Sequence, residues 1–169
     1  LDHNWTTVRS EIKYNDLHQA VDYKDELKDD ATPGVTETAL VTGAQYNGFG
    51  QMTAAHQVKD QAGALVSHWD GDRTMRYDSE GRSRGEHSRM VSANGITVDR
   101  DYSVAAFNAL GRASAERTVT TKSGVDSEGT PVYEITTDAT KSAMGYDDHG
   151  RLAHSKETVR SSDKPDVVT

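Results

Sequence analysis

Residues that favour strands come along this chain in short stretches, and turn residues separate the stretches at regular intervals. Val35–Gln45, Leu65–Tyr77, Ile96–Phe107 and Pro131–Tyr146 are rich in β-formers, which suit a pleated, half-buried surface. Between them lie the return stretches Gln51–Lys59, Arg82–Ser92, Arg112–Ser123 and Arg151–Ser161. Runs such as Thr118-Val119-Thr120-Thr121 and Ile135-Thr136-Thr137 carry no apolar stripe at helical spacing. Ala113–Arg117 would suit a helix in isolation but follows a turn at once. The pattern predicts hairpins connected up and down, about ten strands in all. Tyr14–Lys28 also fits a short helix, through Leu17, Val21 and Leu27.

The turns carry a repeated motif, Tyr-Asp-x-x-Gly-Arg. Its clearest copies are Tyr77-Asp78-Ser79-Glu80-Gly81-Arg82 and Tyr146-Asp147-Asp148-His149-Gly150-Arg151. Looser copies are Tyr14-Asn15-Asp16-Leu17-His18-Gln19, Tyr46-Asn47-Gly48-Phe49-Gly50-Gln51 and Phe107-Asn108-Ala109-Leu110-Gly111-Arg112. From aromatic to aromatic, at 14, 46, 77, 107 and 146, the steps are 32, 31, 30 and 39 residues. Asp or Asn at the second position accepts hydrogen bonds from backbone N–H groups just ahead, as at the start of a type I turn. Glycine at the fifth position supplies the positive φ that closes such a turn with a bulge. The second and sixth residues then face each other, pairing Asp78 with Arg82, Asp147 with Arg151, Asn47 with Gln51 and Asn15 with Gln19. His18 breaks the glycine pattern, so the first turn is expected to be of another type.

A second set of turn signals lies between these corners, at Ala31–Gly34, Asp60–Gly63, Ala93–Gly95 and Asp126–Gly129. The whole reads as an all-β array of about five antiparallel hairpin repeats starting near 14, 46, 77, 107 and 146. It is a single segment, extended or coiled like a solenoid, with no large globular core. The longer last step points to a wider loop or longer hairpin arm at Gly124–Pro131, where an added contact with a partner would be sought first.

Composition agrees with a thin body: 34% of the 169 residues are hydrophobic and 7% aromatic. An ordinary domain has roughly 45–50% apolar residues with Gly included. A formal net charge of −8 argues against nonspecific nucleic-acid binding. No apolar run approaches the roughly 20 residues of a membrane-spanning helix, and the absence of cysteine excludes disulfide staples and thiolate chemistry. A start at Leu1 without a signal-like segment suggests a processed product, or an excerpt or subunit of something larger.

The motif Tyr-Asp-x-x-Gly-Arg resembles that of the Rhs/YD-repeat proteins, here with longer repeats. The resemblance rests on Tyr77–Arg82 and Tyr146–Leu152 and on the three looser copies, and it spans residues 14 to 152. It implies a β-sheet ribbon of bacterial origin, extracellular or at the cell surface, of the kind that coils into shells around a toxin or spans the surface. Such repeats carry no catalytic residues, so none are implied here.

Candidate chemistry is sparse. His3, His18, His56, His68, His87, His149 and His154 show no HxH, HxxxH or HExxH spacing and read as surface histidines. In His68–Arg73 the carboxylates of Asp70 and Asp72 flank Gly71 and are calcium candidates. A turn is the plainer reading, because a calcium loop would need more oxygen ligands and a closing Glu. The acidic run Asp22–Asp30 reads as a solvated hairpin or helix face. No GxSxG, spaced carboxylate pair or phosphate-cradling loop is present, so an enzyme is not expected and no cofactor is implied. Trp5, Trp69 and Tyr133 would stack on sugar rings only if exposed together. The expected role is structural, as a stalk, shell wall or fibre-forming unit. Its partners would be neighbouring repeats or identical subunits at the terminal strand edges. The alternative is an adhesin-type module that binds a glycan or surface protein.

Overall fold

The computed structural model describes residues 5–32, 34–62, 67–125, 128 and 130–163. His3, Pro33, Gly63, Leu65, Asp126, Ser127 and Gly129, which enter the expectations above, lie outside them. The described residues form ten strands and no helix: β1 (Trp5–Tyr14), β2 (Ala20–Asp29), β3 (Thr36–Tyr46), β4 (Met52–Ala62), β5 (Ser67–Tyr77), β6 (Ser83–Ser92), β7 (Thr97–Phe107), β8 (Ala113–Val125), β9 (Pro131–Tyr146) and β10 (Leu152–Ser161). They hydrogen-bond in chain order, β1 to β10, as one ten-stranded sheet. Each motif copy is the corner between an odd strand and the even strand that follows. Tyr14–Lys28 belongs to the end of β1, its corner and most of β2, and contains no helix.

Contacts divide the chain into two compact units. The first is Leu1–Thr74 with Met90–Gly95, the second Met75–Arg89 with Ile96–Thr169. In the first, Tyr23 of β2 lies directly opposite Val41 of β3, which in turn faces Gln57 of β4. Tyr23, Val41, Ala44 and Ala55 form a small buried cluster, with Ala20, Tyr46 and Met52 packed against it. The guanidinium of Arg9 covers the Tyr23 ring at 3.8 Å while it pairs with Asp25, directly opposite it, at 2.7 and 2.8 Å. The acidic run Asp22–Asp30 is therefore mostly strand β2, with a buried tyrosine inside it and two of its carboxylates held by cations of β1. In the second unit only Val104 is buried among the described hydrophobic residues. No described side chain of the protein is fully buried. Strand pairing and cross-strand side-chain pairs, not a thick core, hold such a sheet.

The extra length of the last repeat goes mainly into its strands. β8 and β9 have 13 and 16 residues, and their pairing continues through Ser123 opposite Glu134 to Val125 opposite Pro131. Gly124 faces Tyr133, whose ring covers the place where a side chain would stand. The longer arm accounts for the 39-residue step.

Candidate functional site

The five corners share one geometry. In each, the N–H of the second residue donates to the carbonyl of the sixth, and the N–H of the fifth donates to the carbonyl of the second, all at 2.8–3.0 Å. The side-chain Oδ1 of the second residue accepts from the N–H groups of the fourth and sixth. These bonds measure 2.8–3.0 Å at Asn15, Asn47, Asp78, Asn108 and Asp147. This is a three-residue loop, a type I turn closed by a residue of positive φ. Gly50, Gly81, Gly111 and Gly150 take that place with φ of 75°, 78°, 73° and 80°.

The first corner corrects the expectation drawn from His18. It is the same turn, with His18 itself at φ 59° and all four bonds in place. Histidine is among the non-glycine residues enriched in the left-handed region, and the Asn15 bonds and strand pairing hold it there.

Across the mouths of the hairpins, Asp78 meets Arg82 Nε at 2.7 Å and Asp147 meets Arg151 Nε at 2.8 Å. Asn15 donates to Gln19 at 2.9 Å and Asn47 to Gln51 at 3.0 Å. The backbone N–H of Arg151, then its side chain, holds the Asp147 carboxyl below its ordinary range. Burial raises Asp78, but the bonds from Arg82 and Glu80 outweigh it and the net shift is downward.

Contacts between successive corners were not legible in the motif. In the second unit the sixth residue of one corner reaches the aromatic and the glycine of the next, and in the first unit Gln19 reaches the glycine of the second corner. Arg82 lies over the Phe107 ring at 4.6 Å and Arg112 over the Tyr146 ring at 5.5 Å. A Cβ placed on Gly50 would stand 3.6 Å from Gln19, one on Gly111 3.9 Å from Arg82, and one on Gly150 2.7 Å from Arg112. The aromatic also reaches back: Tyr46 Oη donates to the Ala20 carbonyl at 2.5 Å, and Tyr146 Oη to the Ala113 carbonyl at 2.7 Å. In both cases the acceptor is six residues after the preceding motif aromatic. The aromatic, glycine and sixth side chain are thus occupied in stacking one corner on another, and cation–π contact adds to apolar burial there.

Three residues before the motif tyrosine, Glu11, Gly43 and Ala143 have φ of 53°, 62° and 49°. Each sits where the register of its hairpin shifts. These β-bulges re-aim the strand just ahead of the corner. Only Gly43 carried a sequence signal, a glycine inside a strand pattern.

The remaining candidates are dispersed. His68–Arg73 lies inside β5 and not in a turn. Asp70 and Asp72 flank the imidazole of His56 on β4, at 3.1 and 3.0 Å, and His68 pairs with Asp60 at 2.6 Å. Among the described residues, no group of three or more His, Asp or Glu is set to hold a metal ion. No helix among the described residues is long and apolar enough to cross a membrane. Trp5 is exposed, whereas Trp69 is half-buried in β5. The fourth corner position is apolar and outward in three copies: Leu17, Phe49 and Leu110 are 76%, 73% and 75% exposed. An apolar residue at a turn tip, where polar types are the rule, was the signal for these. No family model, curated protein or solved structure matches the chain.

Proposed function

We propose that this chain is a structural β-repeat segment of an extracellular or cell-surface protein, a stalk, shell wall or fibre-forming unit. The observation that carries the reading is the stacking of corners: Arg82 and Arg112, and the aromatics Tyr46, Phe107 and Tyr146, are engaged in contacts between repeats. A ligand site would leave those groups facing solvent. The resemblance to Rhs/YD-repeat proteins supports the same role and a bacterial surface setting. The test is location and consequence in the source cells. Antibody to the protein is expected to label intact cells, and loss of the protein to remove or deform a surface structure seen by electron microscopy. Confinement to the cytoplasm, with an unchanged envelope, would overturn the reading.

A second reading, an adhesin-type module, is favoured by the exposed tips Leu17, Phe49 and Leu110. Exposed apolar side chains at loop tips suit recognition of a surface protein or glycan. On this reading, Leu17→Ser with Phe49→Ser abolishes adhesion to host or neighbour cells while the circular dichroism spectrum stays unchanged. Undiminished adhesion by that variant would reject it.

A further inference from the structure

Where the odd strand carries a bulge three residues before its aromatic, as β3 and β9 do, the even strand before it hands over by a recurring rule. β5 lacks that bulge and is offset by one, with Ala55, nine after Tyr46, opposite Arg73, four before Tyr77. Tyr23, nine residues after Tyr14, lies opposite Val41, five before Tyr46. Glu116, nine after Phe107, lies opposite Lys141, five before Tyr146. With this register, Arg112 covers the Tyr146 ring, and in both handovers the tyrosine hydroxyl finds the carbonyl six residues after the preceding aromatic.

Among the described residues, β1 pairs only with β2 and β10 only with β9. Each carries one half of the handover. β1 offers the receiving half: Tyr14 is 59% exposed, and Trp5 and Val8 on the same strand are 70% and 55% exposed. Native sheets seldom leave so apolar a strand edge uncovered. β10 offers the donating half: the Arg151 side chain is 76% exposed, and Leu152 is the residue six after Tyr146.

We propose that β10 of one copy of this chain adds to β1 of a second copy, continuing the array head to tail. The proposal rests on the structural reading above and names its partner. β1 carries the same bulge as β3 and β9, at Glu11, three before Tyr14, so their rule sets the register. Ser155 lies opposite Arg9 of the second copy, Lys156 opposite Val8, Glu157 opposite Thr7, Thr158 opposite Thr6 and Val159 opposite Trp5. No like charges meet directly in these pairs, and threonine, valine and tryptophan meet partners favourable in sheets. Arg151 covers the Tyr14 ring of the second copy, and the Tyr14 hydroxyl donates to the Leu152 carbonyl. At that corner position a Cβ stands 3.6 and 3.9 Å from the preceding sixth side chain at Gly50 and Gly111 and 2.7 Å at Gly150, where the near atom is the end of a flexible arginine, so Arg151 shifts its guanidinium to clear His18. The interface joins two different surfaces, so copies add in series and not as a twofold pair.

The absence of native cysteine permits a direct test. Protein carrying Thr7→Cys is mixed with protein carrying Glu157→Cys under mild oxidation. Directly opposed Cβ atoms in a strand pair come within reach of a disulfide, so the mixed dimer is expected to dominate over either homodimer. A statistical mixture, or equal cross-linking of Thr7→Cys with Ser161→Cys, overturns the register and with it the proposal. Independently, sedimentation of the native chain is expected to show mass rising with concentration. Val8→Lys sets a lysine against Lys156 and is expected to weaken association about fivefold, while Val8→Lys with Lys156→Glu restores it. A monomer at every concentration, or no rescue by the charge swap, counts against the pairing. If Val8→Lys fails to fold, the cysteine pair decides alone. Surface labelling without association would sink the pairing and leave the structural role; association of a purely cytoplasmic protein would do the reverse.

Discussion

Asn108 offers the sharpest test of whether the corners are built by backbone capture or by charge. Its Oδ1 accepts from Leu110 N–H at 2.9 Å and from Arg112 N–H at 3.0 Å, the second bond half-buried. In Asn108→Ala both donors lose their acceptor. Each such bond is worth about 0.5–1.5 kcal/mol net, and removing a comparable capping side chain costs about 0.5–2 kcal/mol. Water replaces the more exposed acceptor, so the expected loss is about 1–2 kcal/mol. For a chain of this length, about 2–4 °C of Tm accompanies each kcal/mol if unfolding is a single transition. Asn108→Asp keeps Oδ1 and offers a second oxygen to Arg112, as Asp78 does to Arg82 at 2.7 Å. An exposed ion pair contributes little, so this variant is expected within about 0.5 kcal/mol of the native protein. Urea unfolding followed by far-ultraviolet circular dichroism measures both. Native-like stability of Asn108→Ala, or an equal loss in both variants, would refute backbone capture as the basis of the corner.

Three further outcomes follow from the same geometry. His18→Gly relieves a non-glycine residue at φ 59° whose side chain is exposed. It is expected to raise stability by about 0.5–1 kcal/mol, the left-handed penalty less the entropy cost of glycine; a lowered urea midpoint would contradict this. Tyr146→Phe removes the bond to the Ala113 carbonyl and is expected to cost about 1 kcal/mol; an unchanged midpoint would show that the hydroxyl does not anchor the corner. The third outcome is a dependence on pH. Hydrogen bonds from Arg76 and Arg117 hold the Asp101 and Asp138 carboxyls below their ordinary 3.8, as those from Arg151 do for Asp147. As pH falls, the unfolded chain takes up these protons first, so their contribution is intact above pH 3.8 and is lost as pH drops through the folded values. Tyr102 is pushed up to about 12 from 10.0, by burial first and then by its hydrogen bond with Glu116. Its contribution is intact below pH 10 and is lost as pH rises towards 12. Urea midpoints measured across pH check both limbs, and a flat acid limb would discount the paired aspartates.

The corner was legible residue by residue because its bonds close within six residues. Asn or Asp at the second position and glycine at the fifth specify the turn before any partner strand exists. Strand identity was legible for a related reason: β-branched and aromatic stretches bounded by such turns leave a helix no apolar stripe to bury. His18 misled because propensity weighs one residue, whereas Asn15 and the flanking strands impose the backbone together. The bulges at Glu11 and Ala143 left no trace, since neither residue type announces a positive φ.

Only the tertiary structure decided what the aromatic and the sixth residue are for. Arg82 over Phe107, Arg112 over Tyr146 and Tyr46 against the Ala20 carbonyl join residues 25 to 34 positions apart. Their meeting depends on the register between repeats, which the bulges and strand lengths set jointly. A local code closes a hairpin by itself; stacking one hairpin on the next requires the whole ladder of pairings to be in place.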